Sequence, residues 1–186
     1  PVHAADWATA LAVDSAANVY VTGVSYGTGA DFVTIKYYPN GDTAWIRRKD
    51  FFGDDAPKGV AVDAQGSVYV SGTTGNNRIA TIKYSSTGQL VWTRMFGTRA
   101  DGSGLGLDMD GNAVVCGETL AATADVTVVK YLPSGDTAWA RLYDWAGYDD
   151  AADAMAVTPE GDICTGGYCV DANPGGNMLV LRYDAA

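Results

Sequence analysis

Short stretches of alternating small and large apolar residues recur along the chain, separated by glycine-rich turns. The clearest stretch, residues 59–63, reads GVAVD, and related stretches begin at Ala10, Gly104 and Ala154. Alternation with a period of two residues is typical of β-strands that bury one face. No stretch combines helical periodicity with helix caps. The pattern therefore predicts an all-β protein.

The stretches belong to a longer internal repeat with four landmarks in a fixed order. A glycine follows nine residues after the end of each stretch, and a basic residue followed by tyrosine comes next. In the first three units a turn then leads to a tryptophan. These landmarks are Gly23, Gly72, Gly117 and Gly167; Lys36-Tyr37, Lys83-Tyr84, Lys130-Tyr131 and Arg182-Tyr183; and Trp45, Trp92 and Trp139. Four landmarks in matching order show that the chain is built from tandem units.

Each complete unit is predicted to form four short antiparallel strands. Units of this kind, about 45–50 residues long, are typical of β-propeller blades. The predicted fold is a β-propeller of four tandem blades, at about residues 8–49, 57–98, 102–146 and 152–184, in one domain. Small residues on the first strand suit crowded packing near an axis, and the tryptophans are predicted to be buried at equivalent places. A β-sandwich is the alternative, but it would not require four similar repeats.

The repeat resembles the bacterial seven-bladed β-propeller repeat, abbreviated SBBP. Residues 63–72, DAQGSVYVSG, followed by Lys83-Tyr84, carry the resemblance most clearly, and the fourth unit departs from it at Thr158 and Cys164. The resemblance implies an exported or cell-surface bacterial protein, in a family whose activities are mostly unknown. The segment from Gly88 to Trp92 also resembles the tryptophan-docking motif of quinoprotein propellers. The A-x-D part of that motif is absent, so we interpret the step as structural.

The fourth unit stops after its third strand, so its blade is predicted to lack the outer strand. That third strand, about residues 178–183, reads MLVLRY and carries one charge, Arg182. An apolar strand with an open edge tends to pair with other strands. We therefore expect another copy of the chain, or the remainder of a longer propeller, to cover it.

Composition and charge exclude several classes of function. The net charge of −10 makes a nucleic-acid partner improbable, because phosphate binding needs basic clusters. No apolar run reaches the length of a membrane-spanning helix. The single histidine, His3, argues against histidine-based catalysis. Cys116, Cys164 and Cys169 form no disulfide framework; Cys164 and Cys169 could pair, but buried thiols are favoured.

The variable loops between the second and third strands, and between consecutive blades, share one face, which we call the variable-loop face. Most of the net negative charge is predicted to lie there, and two of its loops, residues 50–55 and 144–150, place aromatic residues beside aspartates. Such groups can bind sugars or a protein surface, and paired carboxylates can hold Ca²⁺. The candidate ligand-binding residues are Asp54, Asp55, Trp145, Tyr148, Asp149 and Asp150.

Two interpretations of these loops remain open. In one, the aspartates cap turns and the aromatic residues fill gaps between blades. In the other, the loops bind a protein or glycan. We expect a non-enzymatic binding or assembly module without a cofactor, Ca²⁺ being the one metal considered. A carbohydrate-active propeller enzyme is the alternative, although no catalytic carboxylate pair stands out.

Overall fold

The computed structural model describes residues 6–27, 29–172 and 175–185, and every regular element in these ranges is a β-strand. Sheet 1 contains β1 (Trp7–Val13), β2 (Val19–Tyr26), β3 (Ala30–Tyr37) and β4 (Thr43–Lys49). Sheet 2 contains β5 (Ala56–Val62), β6 (Val68–Thr73), β7 (Ile79–Tyr84) and β8 (Leu90–Phe96). Sheet 3 contains β9 (Ala100–Leu107), β10 (Ala113–Leu120), β11 (Ala124–Tyr131) and β12 (Thr137–Tyr143). Sheet 4 contains β13 (Asp150–Val157), β14 (Ile163–Cys169) and β15 (Asn177–Tyr183).

Each sheet is an antiparallel meander in which neighbouring strands follow one another in sequence. The first strands β1, β5, β9 and β13 contact each other in order, so consecutive sheets pack side by side. The all-β, propeller-like arrangement predicted from the repeat is confirmed at this level. The described residues include no helix, and hence none that could cross a membrane.

The hydrophobic core of the described residues consists of three clusters, one between each pair of consecutive sheets. Between sheets 1 and 2, Tyr20 and Trp45 of one sheet meet Val70, Ile82 and Tyr84 of the next. Successive strand residues point to opposite faces, so each inner sheet contributes to two clusters. In sheet 3, for example, neighbouring strand residues divide between the cluster towards sheet 2 and the cluster towards sheet 4.

The turns after the first strands follow from the Asp-x-x-Gly pattern. Asp63 Oδ1 accepts hydrogen bonds from the backbone N–H groups of Gln65 (3.0 Å) and Ser67 (2.8 Å). Gly66 has φ +77°, a conformation that favours glycine. Asp108 caps its own turn in the same way, through Asp110 and Asn112. The aspartate and the glycine of the repeat thus form the turn after the first strand in both sheets.

The recurring tryptophans anchor each sheet to the next. Trp45 and Trp92 are buried; their Nε1–H groups donate to Ser86 O (3.2 Å) and Pro133 O (3.0 Å) of the following sheet. Trp139 holds the equivalent place opposite Lys130, as predicted, but the expectation that it is buried is wrong, because it is half-buried. The turn glycines Gly88 and Gly135 pack against Trp45 and Trp92, whereas the residues described for sheet 4 include no glycine at the equivalent position.

The cysteines are free thiols. Cys164 and Cys169 lie on the same strand five positions apart, where their side chains point to opposite faces of sheet 4. The favoured interpretation, without a disulfide, agrees with this arrangement.

Candidate functional site: the variable-loop face

The two aspartate-rich loops have the same internal scaffold. Asp50 Oδ1 accepts the N–H of Phe52 (2.6 Å), and Asp144 Oδ1 accepts the N–H of Gly147 (2.8 Å). Both loops then turn through left-handed conformations, at Phe52 and Gly53 in one and at Ala146 and Gly147 in the other. A carboxylate that bonds its own loop allows the chain to reverse here.

The first aspartate of each adjacent pair ties its loop to a neighbouring third strand. Asp54 Oδ1 accepts the N–H of Ala30 (3.3 Å), and Asp149 Oδ1 accepts the N–H of Ala124 (2.9 Å). Ala30 and Ala124 occupy the same position, at the start of β3 and β11. Both carboxylates therefore hold the loop against the sheet that precedes it.

The second aspartate of each pair is buried beneath its loop. Asp55 accepts N–H groups from Phe51 (2.7 Å) and Gly75 (2.8 Å), one on each oxygen. Asp150 accepts the N–H of Trp145, whereas its buried Oδ1 has no hydrogen-bond partner among the described residues. Each of the four aspartates accepts at least one backbone N–H, in keeping with the turn-capping interpretation, which leaves only the buried Asp150 Oδ1 unexplained among the oxygens named here.

The aromatic residues of the loops divide between packing and exposure. Phe51 packs edge-on against Phe32, with ring centroids 5.4 Å apart. Phe52 is 79% exposed, Trp145 49% and Tyr148 41%. These exposed rings stand on loops that carboxylates hold in place, so each loop presents its own preorganised aromatic surface. The structure does not bring the two loops into one site: residues 50–55 join sheets 1 and 2, whereas residues 144–149 join sheets 3 and 4.

One group of carboxylates has the spacing of a metal site. Ligand oxygens of Asp31, Asp50 and Asp55 lie within 4.8 Å of one another. Asp54, a sequence candidate, is not in this group, because adjacent residues point to opposite sides of the chain. Arg48 Nε already contacts Asp31 at 2.6 Å, and Asp55 is held by two N–H groups. Asp50 in turn accepts the N–H of Phe52, so existing partners account for all three carboxylates without an ion.

A second acidic region lies around sheets 3 and 4. Burial raises the pKa of Glu118, and the nearby charges of Asp101, Asp149 and Asp153 raise it further. Burial also raises the pKa of Tyr168, and the nearby charges of Glu118, Asp149, Asp150 and Asp153 raise it further. We call Glu118, Trp145, Tyr148, Asp149, Asp153 and Tyr168 the acidic aromatic patch. Within it, carboxylates repel each other while exposed rings stand beside them.

The opposing pKa shifts predict a stability maximum at mildly acidic pH. Burial, assisted by neighbouring carboxylates, raises the pKa of Asp55, Glu118 and Asp125. In Asp14 and Asp108, hydrogen bonds outweigh the opposing effect of burial and lower the pKa. The raised groups bind protons more tightly in the folded state, so stability rises as pH falls from 7 towards about 5. The lowered groups lose their contribution as pH falls below about 4, through their folded pKa values.

The melting temperature, measured calorimetrically from pH 8 to 3 at constant ionic strength, checks this expectation. Glu118→Gln should flatten the rise between pH 7 and 5, and Asp108→Asn should reduce the fall at lower pH. A melting temperature that decreases steadily from pH 7 to 5 would contradict the assignment of the raised carboxyls.

Sequence reasoning missed part of these groupings. Asp31, Glu118 and Asp153 were not among the candidate residues, because nothing in the sequence pattern showed which carboxylates meet. Asp50 and Asp144 were interpreted only as loop residues, although the repeated spacing from each to the adjacent aspartate pair was a signal of a common turn.

Comparisons with known proteins indicate a fold and no family. No family model matches the chain, and no curated protein matches it either. A protein of unknown function from Bacteroides caccae is similar in structure over the whole chain, with 13% identity and a TM-score of 0.54; the chain covers 63% of it. A gluconolactonase of Xanthomonas campestris is similar over 94% of the chain, with 12% identity and a TM-score of 0.57, and the chain spans 58% of that protein. At such identities the likeness shows a shared propeller-like architecture, of which this chain spans somewhat more than half.

Proposed function

We propose that the chain is a four-blade arc of a larger β-propeller. It would act as a non-enzymatic binding and assembly module of an exported or cell-surface bacterial protein. The observation that carries the binding function is the display of exposed aromatic rings on carboxylate-braced loops of the variable-loop face. Loops that vary on a rigid scaffold are the usual position of binding sites.

A glycan or a protein surface matches the chemistry of the acidic aromatic patch. The faces of Trp145 and Tyr148 offer apolar contact area at low entropic cost, because each side chain has few rotatable bonds. Carboxylate oxygens of Asp149 and Asp153 can accept hydrogen bonds from hydroxyl or amide groups. The concentration of negative charge disfavours an anionic ligand and favours a neutral or cationic one.

The side chains that could perform covalent chemistry are poorly placed for it. Burial raises the pKa of the Cys116 thiol to about 12, which leaves almost no reactive thiolate at neutral pH. Asp54 and Asp149, the first aspartates of the two adjacent pairs, each accept a backbone N–H and so hold their loops in place. His3 lies outside the described residues. The burial of Cys116 and the backbone hydrogen bonds of Asp54 and Asp149 support binding over the alternative of a carbohydrate-active enzyme.

The exposed outer face of sheet 1 supports the arc. Leu11 and Val13 are exposed there, and Val21, Val33 and Ile35 line a groove beside them. Sheet 1 covers the equivalent residues of sheet 2. These are Val60, Val62, Val70, Ala80 and Ile82. The same positions are thus apolar in both sheets, as they would be if a preceding blade covered sheet 1.

A glycan array and a panel of surface proteins test the binding function. Trp145→Ala and Tyr148→Ala should each weaken binding of the ligand found by about tenfold or more, because exposed aromatics are frequent binding hot spots. Tyr38→Ala is a matched control, since Tyr38 is an exposed aromatic in a turn after a third strand, on the opposite face. Equal losses in all three variants, or turnover of the bound glycan, would contradict the proposal.

A further inference from the structure

The free edge of β15 is a strand-accepting edge. Within the described residues β15 pairs only with β14, whereas β3, β7 and β11 each pair on both sides. Met178 and Val180 of this strand are 87% and 67% exposed. An apolar hollow beside them is lined by Ala154, Ala156 and Cys164. An open edge next to an apolar hollow is suited to binding an extended polypeptide.

Two hydrogen-bond donors at the junction between sheets 3 and 4 indicate which polypeptide segment would pair with β15. Trp139 Nε1 is buried and has no acceptor among the described residues, unlike Trp92 Nε1, which donates to Pro133 O. Arg94 Nε donates to Gly135 O (2.6 Å), whereas its counterpart Arg141 donates only to the adjacent Ala140 O within the described chain. A buried donor such as Trp139 Nε1–H usually has a partner; the counterpart of Pro133 O is Ala185 O, which accepts Lys130 Nζ. Arg141 is exposed, and its missing partner lies further along the turn. The counterpart of Gly135 O would follow Tyr183 by four residues, in a turn that leads into a fourth strand.

The three complete sheets define the register of that strand. The tryptophan of the fourth strand lies opposite the lysine of the third: Lys36↔Trp45, Lys83↔Trp92 and Lys130↔Trp139. A register shift follows in each sheet, at the tyrosine after the lysine. Arg182 and Tyr183 hold the lysine and tyrosine positions in β15. An incoming tryptophan would therefore lie opposite Arg182 and cover the hollow beside Cys164.

A second copy of the chain does not supply this strand from its folded state. The three strands with the pattern, β4, β8 and β12, are each paired within their own sheets. We infer that the edge of β15 binds a glycine turn and a strand of the Thr-x-Trp-x-Arg type, from polypeptide outside residues 1–186. This inference rests on the proposed arc and does not depend on the ligand of the variable-loop face.

A peptide with the sequence of residues 135–143, GDTAWARLY, is the probe. Added to the full chain, it should bind at least about tenfold more tightly than the same peptide with tryptophan replaced by alanine. Binding should increase the hydrogen-exchange protection of β15 amides. It should also shift the indole N–H resonance of Trp139, because pairing fixes the turn at Ala185, whose carbonyl accepts Lys130 Nζ at 2.8 Å.

Two variants of the chain make the test specific. Arg141→Ala removes the donor for the turn glycine and should weaken peptide binding several-fold. Leu142→Ala, an exposed neighbour on the same strand, should leave binding unchanged. Circular dichroism confirms that both variants are folded.

Three outcomes would overturn the inference. They are an absence of binding at millimolar peptide, equal binding of the tryptophan and alanine peptides, and a peptide-free dimer with protected β15 amides. The last would identify a second copy as the occupant. If the peptide fails while Trp145→Ala still weakens ligand binding, the inference falls and the proposed binding function stands.

Discussion

Trp92→Ala is expected to lower the free energy of unfolding by about 3–5 kcal/mol, the usual cost of truncating a buried tryptophan. Trp92 is buried between sheets 2 and 3, with ring centroids 5.9 Å from Tyr69 and 6.0 Å from Tyr131. Its Nε1–H donates to Pro133 O, and the Arg94 guanidinium lies 5.8 Å from its ring centroid. The substitution therefore leaves a cavity and removes one of the two donors to Pro133 O, the other being Lys83 Nζ.

Urea denaturation followed by circular dichroism measures the effect. Trp145→Ala serves as the matched control: the same substitution at a half-exposed loop position should cost less than about 1 kcal/mol. The dependence of the unfolding free energy on urea concentration should remain unchanged in both variants. A loss at position 92 no larger than that at position 145 would show that the tryptophans do not anchor the sheets.

The strand pattern was predictable because it depends on local spacing. Alternation, turn glycines and four recurring landmarks place the strands of each unit, and the sheets follow from pairing neighbours. The side-chain contacts between consecutive sheets could not be predicted in this way. Arg47 Nε, for example, donates to the carbonyl of Gly88, and the Arg47 guanidinium lies over the ring of Trp45. That partner lies in the following unit, so no local pattern could identify it.

The candidate site was predictable only as a face. Residue type and loop position placed the four candidates on one face, namely Asp54, Asp55, Asp149 and Asp150. A sequence cannot show which of their oxygens already have hydrogen-bond partners. Asp55 is fully engaged by two N–H groups, one of them from a loop twenty residues away. Such contacts depend on the packing of loops against sheets, which follows from tertiary structure and not from the period of the repeat.

The repeated glycine of the second strand gives the other large expected effect. A Cβ added at Gly117 would lie 1.9 Å from Asp101 O and 2.9 Å from Gly102 Cα, both backbone atoms. The pairing of β10 with β9 shifts register at this point, and the backbones of the two strands lie unusually close there. Relief requires movement of the backbone, so Gly117→Ala should lower the free energy of unfolding by about 3 kcal/mol or more.

Gly166→Ala is the matched control, because its nearest contact would be Leu179 O at 4.0 Å and its backbone is likewise not left-handed. It should change stability by less than about 1 kcal/mol. Both variants are compared by urea denaturation, with hydrogen exchange of β9 and β10 amides locating the damage at Gly117. Since Gly23, Gly72 and Gly167 have the same close approach to a preceding first strand, their alanine variants should show similar losses. Equal stability of Gly117→Ala and Gly166→Ala would mean that the recurring glycine serves something other than the contact between the first two strands of each sheet.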